Sequence, residues 1–118
     1  MNQVRRRVLV VEDAPLVAML IEDMLLDLGH DVVGPAFRVR TAIPLARAAA
    51  IDFAILDVNV GDENSFPVAA VLRGRGIPFM FATGYGKRGL TGEFAAVPTL
   101  DKPFDLGRLE ALLAQLAR

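Results

Sequence analysis

The run Val8-Leu9-Val10-Val11 is apolar at every position and then meets two acids, Glu12 and Asp13. A continuous, mostly β-branched run of this kind suits a strand buried on both faces, as in a parallel sheet covered by helices. Pro15 follows, where its missing N–H costs nothing if it opens a helix. Leu16, Leu20, Ile21, Met24, Leu25 and Leu28 then recur at helical spacing, and Gly29 can end that helix.

The same strand-and-helix unit repeats down the chain. Asp31 to Ala36 reads as a second strand and Thr41 to Ala49 as a second helix, in which Pro44 is tolerable only in the first turn. Phe53 to Leu56 is a third strand, ending at Asp57. A loop containing Gly61 leads to a helix from about Ser65 to Arg73, stopped by Gly74 and Gly76. Ile77 to Ala82 and Val97 to Leu100 read as the fourth and fifth strands. Leu106, Leu109, Leu112, Leu113 and Leu116 mark a last helix, with Asp105 as its N-cap. Between Gly84 and Pro98 the rhythm fails. Glycines crowd the first half and the apolar spacing is poor, so a fourth helix would be short or disordered.

Strands alternating with helices predict an α/β chain with a doubly wound parallel sheet. The 118 residues suit one domain, residues 1–118. A hydrophobic share of 53% allows a buried core. The net charge of −1 gives no reason to expect nucleic acid or an anionic membrane as partner. With no cysteine, disulfides, thiolate metal sites and thiol nucleophiles are excluded. Arg5, Arg6 and Arg7 before the first apolar run imitate a signal peptide only faintly, because Glu12 stops that run early. A cytoplasmic protein is expected.

Ligands in such sheets bind outside the carboxyl ends of the strands. Those ends carry Glu12 and Asp13, then Asp57 with Asn59 two residues on, then Thr83, then Asp101, Lys102 and Pro103. Carboxylates gathered there would repel one another, and Mg²⁺, which takes oxygen ligands, removes that conflict. Asp57 could then attack a phosphoryl donor to give an acyl phosphate, with the metal and Lys102 stabilising the transferring group. The Thr83 hydroxyl could donate to a phosphoryl oxygen.

In the order VLVVEDAP, ILDVNVGDE, FATG and DKPF, these motifs make the chain resemble a response-regulator receiver domain over essentially its whole length. The resemblance implies a five-stranded, flavodoxin-like sheet of order 2-1-3-4-5. It implies two-component signal transduction, with phosphotransfer from a sensor histidine kinase or phosphotransfer protein onto Asp57. It makes Asp13 a direct ligand of Mg²⁺, Glu12 a ligand through water, and Asn59 the source of a backbone carbonyl ligand. Thr83 and Lys102 would serve the phosphoryl group, with a cis-prone step at Lys102-Pro103. Such a domain catalyses its own aspartyl phosphorylation and dephosphorylation rather than turnover of a conventional substrate.

One position departs from the common receiver pattern: Thr99 stands where most receivers carry an aromatic switch residue. Phe81-Ala82-Thr83-Gly84-Tyr85 instead resembles the "FAT GUY" signature of a subgroup of single-domain receivers with a weak fourth helix. That resemblance makes Tyr85 and residues 84–96 the conformational readout. The output would be binding to a downstream protein. A phosphate sink, a receiver piece of a larger hybrid kinase or regulator, and a pseudo-receiver are the alternatives. A Toprim-like phosphohydrolase would want Asp-x-Asp where Asp57-Val58-Asn59 stands. Residues 84–89 match G-x-G-x-x-G, but they follow the fourth strand and precede a poor helix, which argues against a dinucleotide site. His30, the one histidine, lies just past Gly29 in an expected loop away from the site, where a surface or turn role is expected rather than a phosphohistidine or ligand.

Overall fold

The structure is a computed structural model that describes residues 5–84, 90, 92–102 and 105–116. The elements run β1 (Arg7–Val11), α1 (Pro15–Asp27), β2 (Asp31–Ala36), α2 (Val39–Ala48), β3 (Phe53–Asp57), β4 (Asn59–Val60), β5 (Glu63–Asn64), α3 (Phe66–Gly74), β6 (Phe79–Thr83), β7 (Thr99–Asp101) and α4 (Leu106–Leu116). The main sheet has the order β2-β1-β3-β6-β7, all parallel. Strands β4 and β5 form a separate antiparallel hairpin. Counting sheet strands alone, this is the expected order 2-1-3-4-5.

The two-residue period of each strand divides the core into two layers. Leu9, Val11, Ala54, Leu56, Phe79 and Phe81 face α2 and α3, packing with Ala42, Ala46, Val68 and Leu72. Val8, Val10, Phe53, Ile55, Met80 and Ala82 face α1 and α4, packing with Ile21, Leu25, Leu109 and Leu113. Both faces are covered, which is why the strands read as unbroken apolar runs. Register then lines up their ends. Val11 pairs with Leu56, Asp57 with Ala82, and Thr83 with Asp101.

Several local expectations are corrected. On α1 the buried stripe is Ala18, Ile21, Leu25 and Leu28, whereas Leu16 is 80% and Leu20 49% exposed. The helix is apolar on more than one face, and the sheet takes only the stripe at spacing 3-4-3. Helix α2 starts at Val39, so Pro44 falls in its second turn rather than its first. Pro44 and Arg40 are both exposed, so the Arg40 carbonyl left without the Pro44 N–H can turn to water. His30 is buried rather than a surface residue; its Nδ1 accepts the Arg6 backbone N–H at 3.1 Å. Asp105 does cap α4, its Oδ1 accepting the Arg108 N–H at 2.9 Å. Between β6 and β7, the helix found among the described residues is one 3₁₀ turn, Gly92–Phe94.

Candidate functional site

Four strand ends build the site. The Glu12 N–H donates to the Ala36 carbonyl at 3.0 Å, continuing β1 alongside β2. That holds the Glu12 side chain inside the protein, 1% exposed. Its Oε2 accepts the Ala14 N–H at 3.1 Å and its Oε1 accepts the Lys102 ammonium at 2.7 Å. Asp13 is exposed, and its Oδ2 accepts the Gly61 N–H at 2.7 Å. This bond ties the turn after β1 to the tip of the β4–β5 hairpin. Gly61 has φ +66, which a side chain would resist.

Asp57 ends β3, and its Oδ2 accepts Lys102 Nζ at 3.2 Å. Thr83 ends β6 and is buried. The Thr83 carbonyl accepts the Lys102 N–H at 2.9 Å, which fixes the root of the lysine beside β6. Asn59 lies in the hairpin, exposed and in register with Asn64. Thr99 opens β7 and pairs in register with Phe81. Tyr85 and Pro103 lie outside the described residues.

Burial, and next the charge of Glu12, push the Asp57 carboxyl up to about 6, partly offset by Lys102. For Lys102, burial works to lower the pKa. The hydrogen bond to Glu12, with the charges of Asp57 and Glu12, outweighs it and raises the value. The lysine therefore stays cationic, and one cation is shared between two carboxylates. A second cation at Asp57 would favour its ionised form.

The donor set fits such a cation. Glu12, Asp13 and Asp57 each offer an oxygen, and these atoms lie within 4.8 Å of one another. Both Glu12 oxygens already accept hydrogen bonds. In the bonds described, Asp13 and Asp57 each use only Oδ2, which leaves Oδ1 for a metal. Two carboxylates and several waters suit Mg²⁺. Gly61 and Ala14, whose N–H groups orient the acids, were not legible as site residues; Gly61 was visible only as a loop glycine.

Residues 8–114 match the response regulator receiver domain family. PhyR, the phyllosphere-induced regulator of Methylorubrum extorquens, is 36% identical over 113 residues, covering 92% of this chain and 42% of that protein. PdtaR, a transcriptional regulatory protein of Mycobacterium tuberculosis, is 31% identical over 110 residues, covering 90% of this chain and 54% of that protein. The chain thus spans about half the length of these curated relatives. The solution structure of SdrG from Sphingomonas melonis superimposes with a TM-score of 0.86 at 41% identity, covering 99% of this chain and 100% of that one. With its parallel sheet and an acidic cluster at the strand ends, the chain belongs to the response regulator receiver domain family.

Proposed function

We propose that residues 1–118 act as one receiver and that Asp57 accepts a phosphoryl group from a phosphohistidine on a sensor histidine kinase or phosphotransfer protein. The observation that carries this reading is the Asp57 carboxylate at the sheet edge, 3.2 Å from Lys102 and clustered with Glu12 and Asp13. An Asp57 oxygen attacks phosphorus, the P–N bond breaks, and its electron pair returns to the imidazole nitrogen. Mg²⁺, held by Asp13 and Asp57 with the Asn59 carbonyl, would supply positive charge against the phosphoryl oxygens. Glu12 holds Lys102 in place and reaches the metal only through water. Lys102 neutralises the carboxylate before transfer and a phosphoryl oxygen after it. The Thr83 hydroxyl donates to another phosphoryl oxygen, coupling β6 to the modification.

Leu16, Met19 and Leu20 stand exposed at the start of α1, directly after the acidic pair. An apolar helical surface of the phosphodonor protein fits there. Downstream, the reading calls for a protein that distinguishes phosphorylated from free Asp57. It places the chain in the cytoplasm with its kinase. Among the described residues, no helix is long and apolar enough to cross a membrane.

The test is intact mass after incubation with acetyl phosphate and Mg²⁺, beside Asp57→Asn and a chelator control. One phosphoryl adduct that disappears in both controls supports the reading. A wild-type protein that takes up neither a phosphoryl group nor beryllofluoride sinks it.

A further inference from the structure

We infer that Arg73 is a positioning residue for the Asp57 site: by clamping the Gly92–Phe94 turn it sets how readily the site takes up a phosphoryl group. The inference rests on the phospho-acceptor reading and adds a residue that lies at the far end of α3 from Asp57.

Arg73 sits in the last turn of α3. Its Nη1 donates to the Glu93 carbonyl at 2.7 Å and lies 3.4 Å from the Glu93 carboxylate. The same guanidinium lies 5.0 Å from the centre of the Phe94 ring and 5.7 Å from that of Phe79, within the range of a cation–π contact. One side chain therefore grips the turn twice, by its backbone and by its aromatic ring.

Phe94 is buried, and its ring centre is 5.0 Å from Phe66, 5.9 Å from Phe81 and 6.3 Å from Phe79. Two of these neighbours lead to the site. Phe81 is two residues before Thr83 on β6. Phe66 opens α3 directly after Ser65, whose N–H donates to the carbonyl of Val58, the residue after Asp57. Phe66 and Phe81 also touch each other edge to face at 5.8 Å. The cluster thus joins the segments after Asp57 and before Thr83 to a turn held from outside by one arginine. Close-packed rings transmit a displacement rather than absorb it. Thr99 pairs with Phe81 in register on β7, and the Phe94 ring from the crossover lies 5.9 Å from Phe81.

The clamp holds the arrangement in which Asp57 is a free carboxylate and Lys102 rests on Glu12. Phosphorylation that draws Thr83 and Lys102 toward a phosphoryl group pulls on β6 and, through Phe81, on Phe94. The clamp opposes that motion. Linkage is reciprocal: what the clamp costs the phosphoryl group, the phosphoryl group costs the clamp. Removing Arg73 therefore strengthens uptake at a site it does not touch.

The experiment is beryllofluoride affinity in saturating Mg²⁺, read by titration calorimetry on wild type, Arg73→Ala, Arg73→Lys and Glu93→Ala. Mg²⁺ affinity without beryllofluoride is the control. Arg73→Ala is expected to bind beryllofluoride about fivefold more tightly, at the low end of typical couplings, with Mg²⁺ affinity unchanged. Arg73→Lys is expected to move the same way by less, since it keeps the charge but loses the planar stack. Glu93→Ala is expected to change little, because the short bond goes to the backbone carbonyl. In wild type, beryllofluoride is expected to speed amide exchange at residues 92–97. A purely structural arginine would lower stability in Arg73→Ala and leave the beryllofluoride affinity as it was; that result, or weaker binding, overturns the inference. If Arg73→Ala does not fold, an unchanged affinity in Arg73→Lys does the same. Wild type that fails to bind beryllofluoride at all overturns the phospho-acceptor reading, and the coupling with it.

Discussion

Lys102 lies closer to Glu12 than to Asp57: its Nζ donates to Glu12 Oε1 at 2.7 Å and to Asp57 Oδ2 at 3.2 Å. Glu12 is 1% exposed and pairs with that lysine inside the protein, whereas Asp57 is closer to solvent. The lysine therefore supports a buried acid in addition to the role proposed for it at the phosphoryl group. Breaking a buried pair from one side leaves the other charge uncompensated. Lys102→Ala is expected to lose about 1–3 kcal/mol in chelator, less than a fully buried pair would cost because the lysine is partly exposed. Mg²⁺ is expected to restore part of that loss. Urea unfolding with and without Mg²⁺ checks this, and equal losses in the two conditions would refute it.

Asp57 works against the fold when it is ionised and metal-free. Its folded-state value is raised to about 6 from 3.8, so the folded protein binds the proton more tightly than the unfolded chain. Stability from this group is then present at low pH and is lost as pH rises through the window between those two values. Asp57→Asn removes the ionisation. In chelator it is expected to stabilise the protein by about 1–3 kcal/mol at pH 7.5, on the order of two pKa units, and by less at pH 4.5. In Mg²⁺ the gain is expected to shrink, since a cation bound there would favour the carboxylate. An Asp57→Asn protein no more stable than wild type at pH 7.5 in chelator would contradict this account.

The sheet was legible because its strands are buried on both faces, and burial writes itself into sequence as unbroken runs such as Val8–Val11 and Phe53–Leu56. The acids and Lys102 were legible for a related reason: polar residues that end such runs in a parallel sheet must share one edge. What was not legible follows from contacts between distant segments. Periodicity could not choose among the apolar faces of α1, because only packing against the sheet decides that Ile21 is buried and Leu20 is not. Nor could it show that Arg73 reaches Glu93, 20 residues away. The helix-end roles of Pro15 and Asp105 were readable because capping is local; the hydrogen bond from Arg6 to His30 was not, because it joins residues 24 apart in the chain.

His30 supplies a pH dependence at the opposite end of the sheet. Burial lowers its pKa, the nearby Arg6 charge lowers it further, and Asp31 partly offsets both. Its Nδ1 must stay unprotonated to accept the Arg6 N–H. A base with a depressed folded pKa is disfavoured by protons in the folded state, so stability falls as pH drops through its unfolded value of 6.5 and levels off below the folded one. His30→Gln keeps an acceptor without that titration. Thermal melts from pH 7.5 to pH 5 are expected to show wild type losing more stability than His30→Gln. Parallel curves would mean the histidine does not report pH.

The exposed face at the start of α1 is expected to separate the two proposed phosphoryl routes to Asp57. Leu16 is 80% and Met19 56% exposed, so polar substitutions there remove nothing from the core. Surface changes of this kind alter stability by no more than about 0.5 kcal/mol. A small donor such as acetyl phosphate needs only the site, whereas a phosphohistidine protein needs a surface beside it. Leu16→Asp with Met19→Glu is expected to leave the acetyl phosphate rate within about twofold of wild type. Transfer from a phosphorylated partner is expected to fall by about tenfold or more, the loss of one interface anchor. Parallel measurements with both donors decide it: equal losses would place the damage in the site, and no loss with the protein donor would place the docking surface elsewhere on the domain.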